Sequence, residues 1–230
     1  IRDRAYILHT YGRVDAALVK GRNARAWDVD GKEYIDFTAG IGVNALGYCD
    51  PEWSAAVAEQ AGNIQHMCNY YYCPENTALA QELSQASGMA KAFFCNSCAE
   101  ANECAIKIAR KYGEKRGAYR IVTLENSFHG RTITTLTATG QDVFHNYFFP
   151  FTEGFRYADA NDLASLEAAA GDDVCAVMME LVQGEGGVLP LDRDYVKAVA
   201  RLCAEKDCLL LVDEVQTGVG RTGSLFAFQQ

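Results

Sequence analysis

The sequence lacks the features that define nucleic-acid-binding and membrane proteins. Its 21 lysines and arginines are outnumbered by 30 aspartates and glutamates, which gives a net charge of -9. A phosphate backbone requires clustered positive charge, so this balance argues against a nucleic-acid partner. No apolar run approaches the roughly 20 residues that span a bilayer, which argues against a membrane protein. The opening segment also lacks the apolar core of a secretory signal, so we predict a cytoplasmic location.

A metal-binding pattern is lacking as well, although the chain has nine cysteines and four histidines. Cys95 and Cys98 have C-x-x-C spacing, but no second pair with histidine accompanies them. A structural zinc site needs four such ligands. An odd number of cysteines cannot pair completely, and a chain of this length can bury a core without disulfides. We therefore predict no metal and free buried thiols, with a redox or metal-binding pair at Cys95 and Cys98 as the alternative.

What the sequence does contain is an alternation of helical and strand-like segments. Asp30-Gly31 supplies a tight turn between two short strands within residues 26–37. Apolar strands that alternate with helices are typical of a parallel α/β sheet covered on both faces. Periodicity predicts helices over 51–66, 74–87, 98–116 and 194–206, and short apolar runs predict strands over 92–95, 120–124, 175–180 and 209–213.

Ligands of such sheets bind at the carboxyl ends of the strands, where this sequence places polar residues. After the first predicted strand, Ser97 and Glu100 form an S-x-x-E capping box whose free N–H groups suit a phosphate, although most such boxes only cap a helix. After the second, Phe128 could stack on a planar ligand and Arg131 could clamp a carboxylate. A core phenylalanine and a solvated arginine are the alternative.

The two later strands end in carboxylates. One strand ends at Glu180 and leads into a glycine-rich turn over 183–187 that contains Glu185, and Asp213 ends another apolar strand. A carboxylate there is costly unless it meets a cation or a hydrogen-bond donor. A protonated pyridine nitrogen would be such a partner, and the cationic ring would withdraw electrons from a substrate carbanion. A helix cap or turn former is the alternative role for Asp213.

Taken in order, these four strand ends resemble the class III, ornithine-type, aminotransferases, which use pyridoxal 5'-phosphate. The motifs that carry the resemblance are residues 96–110, Phe128-His129-Gly130-Arg131, Gln183-Gly184-Glu185-Gly186-Gly187 and residues 213–223. The resemblance implies an α/β fold: the large domain of a fold type I enzyme, with a mostly parallel sheet flanked by helices. It further implies a small-domain segment over 1–47, a cofactor-binding large domain over 48–230 that is incomplete at its C-terminal end, and a C-terminal domain absent from this chain.

The resemblance implies roles for the residues around the cofactor. The phosphate would accept hydrogen bonds at the first turn of a helix, one ring face would meet an aromatic side chain, and the ring nitrogen would meet a carboxylate. The cofactor-binding residues would be Ser97, Cys98 and Ala99 at the phosphate, Phe128 and Val215 on the two ring faces, Asp213 at the ring nitrogen and Gln216 near the ring hydroxyl. Cys98 and Ala99 stand where the family usually has glycine and threonine, so one hydroxyl is lost from the phosphate turn.

Substrate and catalytic roles follow from the same resemblance. Arg131 would hold a substrate carboxylate. Glu185 would be the gate carboxylate, which pairs with an arginine of the C-terminal domain when no dicarboxylate is bound. The Schiff-base lysine of the family lies beyond Gln230, and none of the lysines present sits at a predicted strand end.

The activity implied is transamination between N2-acetyl-L-ornithine and 2-oxoglutarate, which gives N-acetylglutamate 5-semialdehyde and glutamate in arginine biosynthesis. Ile41 stands where ornithine-specific members usually have a tyrosine, which favours an acylated ornithine. A homodimer is also implied, because the active sites of the family lie between subunits. The alternatives are another class III ω-aminotransferase, acting on succinylornithine or 4-aminobutyrate, and an inactive chain that serves only in dimerisation.

Overall fold

The computed structural model describes residues 2–230, and the chain separates into two compact units that divide between Cys73 and Pro74. The division predicted after Gly47 falls inside the first of these units. Among residues 2–230, no helix is long and apolar enough to cross a membrane.

The first unit contains a small antiparallel sheet with strand order β1-β2-β3. Its turn is the one predicted at Asp30-Gly31, where Gly31 adopts a φ of 81° that favours glycine. The Asp28 carboxylate holds this turn by accepting from the backbone N–H groups of Asp30 and Lys32 and from the Tyr34 hydroxyl. The elements of the unit are α1 (Arg2–Tyr6), β1 (Leu18–Arg22), β2 (Arg25–Asp28), β3 (Glu33–Ile35) and α2 (Pro51–Asn63).

The second unit contains a parallel sheet with strand order β5-β4-β6-β9. Its central strand β6 is buried along its whole length, as its continuous apolar sequence predicts. The helices are α3 (Pro74–Ser87), α4 (Cys98–Gly113), α5 (Ile133–Ala138), α6 (Leu163–Ala169) and α7 (Arg193–Glu205). The strands are β4 (Arg120–Leu124), β5 (Phe155–Ala158), β6 (Val174–Glu180), β7 (Val182–Gln183), β8 (Leu189–Pro190) and β9 (Leu209–Asp213).

The core of the second unit forms two apolar clusters. One is built around β4, β6, α6 and α7, and it includes Leu166, Val177 and Val199. The other is built around α4, β4 and β6, and it includes Ile106, Ile121 and Met178. The sheet is therefore covered by helices, and the predicted α/β fold with a parallel sheet is confirmed.

One predicted strand is wrong. Residues 92–95 form no strand, and both Phe93 and Phe94 are exposed. A strand exists only where a neighbour supplies its ladder of hydrogen bonds, and no strand within 2–230 pairs with this segment. The apolar pattern is that of a strand, but the described residues give it no partner.

Candidate active site at the carboxyl ends of the parallel strands

The carboxyl ends of β4, β6 and β9 lie side by side, because the three strands are neighbours and run parallel. Glu180 and Asp213, the last residues of β6 and β9, are register partners. Three of the four strand ends singled out in the sequence are therefore gathered at one edge of the sheet. The fourth, at Ser97, belongs to the start of α4, and Asn102 of this helix reaches Asp213 at the end of β9.

Asp213 is a buried carboxylate that accepts three hydrogen bonds. Its Oδ2 accepts from Nδ2 of Asn102 at 2.8 Å and from Nδ1 of His129 at 2.9 Å, and its Oδ1 accepts from the backbone N–H of Val215 at 3.0 Å. Burial raises the pKa of Asp213, but the hydrogen bond and charge of His129 and the other two donors outweigh it, so the pKa lies below its ordinary value. The group is therefore held as an anion although it is almost enclosed.

Asn102 and His129 were not predicted as site residues. The two N–H bonds of the Asn102 amide go to Asp213 Oδ2 and to the backbone oxygen of His129, each at 2.8 Å. Because the Asp213 anion can only accept, Nδ1 of His129 must carry the hydrogen of their shared bond. A sequence signal existed for both: Asn102 is a polar residue on the apolar face of α4, and His129 lies inside the Phe128 to Arg131 motif.

Glu180 holds the loop that contains Phe128. One of its oxygens accepts from the backbone N–H of Phe128 at 2.8 Å, and the other accepts from the N–H of Gly184 at 3.1 Å. Burial raises the pKa of Glu180, while these hydrogen bonds and the nearby His129 oppose the increase. Glu180 thus positions both the aromatic loop and the glycine-rich turn.

The glycine-rich turn over 183–187 is fastened to the residues that follow β4. Asn126 Nδ2 donates to the Gly186 oxygen at 2.7 Å, and Gln183 Nε2 donates to the Glu125 oxygen at 2.8 Å. A Cβ added to Gly186 would lie 2.5 Å from the backbone oxygen of Asn126, so only glycine fits there. The turn is therefore a fixed part of the site.

Glu185 and Gln216, both predicted as site residues, are brought together by this turn. Gln216 Nε2 donates to Glu185 Oε1 at 3.4 Å, and the Glu185 side chain is otherwise exposed. Val215, between Asp213 and Gln216, leaves 60% of its surface exposed. An apolar side chain so exposed beside a buried carboxylate is available to pack on a ligand.

The start of α4 has the cap that the sequence predicts. Ser97 Oγ accepts from the N–H of Glu100, while the Glu100 carboxylate accepts from the N–H of Asn96 at 2.6 Å. Within residues 2–230, the N–H groups of Cys98 and Ala99 have no recorded acceptor, and they point outward from the positive end of a 16-residue helix. A Cβ added to Gly130 would lie 3.0 Å from Ala99 Cβ, so the helix start touches the Phe128 loop.

Arg131 stacks on aromatic rings and makes no recorded ion pair in the described part of the chain. Its guanidinium carbon lies 5.6 Å from the Phe128 ring centroid and 4.9 Å from that of Phe144. Together with Leu136 and Tyr147, it lines a cavity of about 280 Å³. A preoriented guanidinium without a carboxylate partner can receive one from a ligand.

A cluster of three or more histidine, cysteine or acidic side chains with metal-binding geometry is not found within residues 2–230. Cys95 is exposed, and its thiol donates to the backbone oxygen of Ser97 at 3.5 Å. Both Cys95 and Cys98 are free thiols in this structure.

We expect Asn102→Ala to destabilise the full-length protein by about 1–3 kcal/mol, because it leaves the buried His129 oxygen and Asp213 Oδ2 each short of a donor. The free energy of unfolding in urea measures this loss. Asn146→Ala is the matched control, since the Asn146 amide is exposed and donates to the Val143 oxygen three residues away. Equal unfolding free energies for the two variants would contradict a special role for Asn102.

The class-III aminotransferase family matches residues 6–230. The match covers nearly the whole chain, so the chain belongs to the class-III aminotransferases.

Within this family, the chain is similar to proteins named acetylornithine aminotransferase. The chain is 53% identical to the acetylornithine aminotransferase of Haemophilus ducreyi, over 99% of this chain and 59% of that protein. It is 47% identical to the acetylornithine aminotransferase of Methanocaldococcus jannaschii, over 99% of this chain and 58% of that protein. The chain therefore spans a little more than half the length of these relatives.

Solved structures give the same picture of the fold. An ornithine aminotransferase from Toxoplasma gondii superimposes with a TM-score of 0.93 at 35% identity, over 99% of this chain and 55% of that chain. The N-acetylornithine aminotransferase of Stenotrophomonas maltophilia superimposes with a TM-score of 0.82 at 44% identity, over 96% of this chain and 56% of that chain. The predicted large-domain fold of the aminotransferases is thereby confirmed.

Proposed function

We propose that this chain supplies the cofactor-binding face of an aminotransferase that moves an amino group from N2-acetyl-L-ornithine to 2-oxoglutarate. The observation that carries the proposal is the buried Asp213 anion, held by Asn102 and His129 at the edge of a parallel sheet. The chain is 47–53% identical to two acetylornithine aminotransferases, and this similarity supports N2-acetyl-L-ornithine as the amino donor.

The donors and acceptors present fit pyridoxal 5'-phosphate. Three donors occupy Asp213, and a carboxylate has about four lone-pair sites, so one acceptor position remains for the pyridine N–H. The N–H groups of Cys98 and Ala99, with the α4 dipole, suit the phosphate even though the usual glycine and threonine are replaced. When bound, the cofactor supplies an electron sink for the bond-breaking step at the amino carbon.

The chain's own residues would orient that group and the substrates. Asp213 would keep a proton on the ring nitrogen, because its lowered pKa makes it a persistent anion. Phe128 and Val215 would cover the ring, and Gln216 would lie near its hydroxyl. Arg131 would bind a substrate carboxylate with two parallel hydrogen bonds. Glu185, now accepting from Gln216, would be the gate carboxylate.

Substrate profiling of the full-length protein tests the proposal. Glutamate formation from 2-oxoglutarate is measured with N-acetylornithine, N-succinylornithine, ornithine and 4-aminobutyrate as donors. We expect the highest kcat/KM with N-acetylornithine and a much lower value with ornithine, since Ile41 stands where ornithine-specific relatives have a tyrosine. A preference for succinylornithine or 4-aminobutyrate would replace the proposed donor, and no turnover with any donor would favour the dimerisation role.

A homodimer and a cytoplasmic location belong to the same proposal. Support for a dimer comes from large aromatic side chains that the first unit leaves almost fully exposed, Tyr70 at 95% and Tyr72 at 99%. Exposed aromatic groups of this size are typical of surfaces that another chain covers. Light scattering measures the molar mass of the full-length protein, and we expect the value of a dimer. Cell fractionation shows where the protein is located, and we expect it in the cytoplasmic fraction.

A further inference from the structure

Cys203 and Cys208 lie opposite each other across the turn that ends α7. The Cys208 N–H donates to the Cys203 oxygen at 2.9 Å, and the Asp207 N–H donates to the Ala204 oxygen at 3.3 Å. Asp207 adopts a φ of 52° between them. These two bonds around a left-handed residue define a Schellman motif, in which the side chains at the positions of Cys203 and Cys208 contact each other.

The geometry of this turn suits a disulfide. Backbone bond lengths, the bond angle at the Cys203 carbonyl carbon and the hydrogen bond between the two residues limit the separation of their Cα atoms to about 6.8 Å. Disulfides span Cα separations of about 4.4–6.8 Å. Both side chains belong to the same apolar cluster, so they face the same side of the turn.

The two thiols differ in acidity because they interact directly. The contact with Cys203 lowers the pKa of the Cys208 thiol, and burial only partly offsets this effect. Charges around the turn also act on Cys208: Arg116 and Lys206 favour its thiolate and Asp207 opposes it. The same contact, together with burial, raises the pKa of Cys203. Cys208 is also the more exposed thiol, at 8% against 3% for Cys203, so a small molecule reaches it first and Cys208 is the nucleophile of the pair.

Side chains from the end of α4 and the turn that follows it hold the turn that contains Cys203 and Cys208. Arg116 donates to the backbone oxygens of Lys206 and Asp207 and forms an ion pair with the Asp207 carboxylate, Nε to Oδ2, at 3.2 Å. The Tyr112 hydroxyl donates to the same carboxylate at 2.5 Å. These contacts hold the end of α7 and the start of β9 in register, so the two sulfurs stay within reach of each other.

We propose that Cys203 and Cys208 form a modification site: a dithiol that hydrogen peroxide converts to an intramolecular disulfide. In the first step, the Cys208 thiolate attacks one peroxide oxygen, the O–O bond breaks, and a sulfenic acid and hydroxide form. In the second step, the Cys203 sulfur attacks the sulfenic sulfur of Cys208 and the S–O bond breaks. The hydroxide that leaves combines with the proton of the Cys203 thiol to form water. Two thiols lose two electrons in total, and one peroxide becomes two water molecules.

Peptide mapping tests the site without reference to enzyme activity. The folded full-length protein is treated with hydrogen peroxide, its remaining thiols are blocked with N-ethylmaleimide, and it is digested with trypsin without reduction. Cleavage after Arg201, Lys206 and Arg221 separates the two cysteines into fragments 202–206 and 207–221. We expect mass spectrometry to find these fragments joined as the main product, and to find them apart once a reductant is added.

Three serine variants sharpen the result. Cys203→Ser should yield no joined fragments and should instead leave Cys208 as a sulfenic acid that dimedone traps. Cys208→Ser should yield neither product. Cys175→Ser is the matched control, because Cys175 is a buried thiol whose charge interacts with that of Cys208, and it should behave as the parent does. Fragments 202–206 and 207–221 that stay separate in the oxidised parent, or a fragment containing Cys175 joined to either, would overturn the proposal.

Discussion

Asp213→Asn is expected to reduce kcat for transamination by about 10²–10³-fold, a magnitude typical of removing one preorganised electrostatic group from an active site. The reason is the charge of Asp213. Its anion can keep a proton on a pyridine nitrogen, and an amide, which is neutral, cannot. The measurement is steady-state glutamate formation by the full-length protein with N-acetylornithine and 2-oxoglutarate.

The same substitution should leave the fold largely intact. Asparagine has the size of aspartate, and its oxygen can still accept from Asn102 and His129 in place of Oδ2, so that only the bond from the N–H of Val215 is lost. Circular dichroism and thermal unfolding check this. Asp159→Asn is the matched control, since Asp159 follows the end of β5 in the same sheet but is exposed. Parent-like turnover in Asp213→Asn would remove Asp213 from its assigned role.

Arg131→Lys is expected to lower kcat/KM by about 5- to 150-fold. This corresponds to a loss of about 1–3 kcal/mol of transition-state stabilisation. Lysine keeps the positive charge but cannot reproduce the two parallel bonds of a guanidinium to a carboxylate. It would also lose the stacking of Arg131 on Phe128 and Phe144. The loss should appear with both the amino donor and 2-oxoglutarate.

Arg193→Lys is the control for that experiment, because Arg193 is an exposed arginine at the start of α7 and has no role assigned in the site. It should change kcat/KM by less than twofold. If Arg131→Lys matched its parent with both substrates, the carboxylate that Arg131 is proposed to bind would have to be sought elsewhere.

Regular features of the fold could be predicted from the sequence because they depend on local pattern. The strands at 120–124 and 209–213 and the helix at 74–87 have the predicted bounds, since apolar runs and helical periodicity are unambiguous there. The strand β5 and the short helices α5 and α6 were missed. The sequence Phe155–Ala158 contains an arginine, and its guanidinium is satisfied by Asp173, which is distant in sequence.

The site was predictable only in part for a similar reason. Motifs showed which residues end the strands, so Asp213, Phe128 and Arg131 could be named as candidates. The supporting bonds join residues far apart along the chain: Asn102 to Asp213 and Glu180 to Phe128. Which buried polar side chain reaches which strand end depends on the packing of α4 and the loops against the sheet, and no local pattern encodes that.

The register pairing of Glu180 with Asp213 couples two carboxylates that do different work. Burial is the main cause that raises the pKa of Glu180, and the negative charge of Asp213 adds a smaller contribution in the same direction. Neutralising Asp213 would therefore let Glu180 ionise more readily, and an ionised carboxylate accepts more strongly from the N–H groups of Phe128 and Gly184. Any cation that settles against Asp213 would act in the same direction. A ligand bound at this edge of the sheet would in this way strengthen the hydrogen bonds that Glu180 accepts from the loop that contains Phe128.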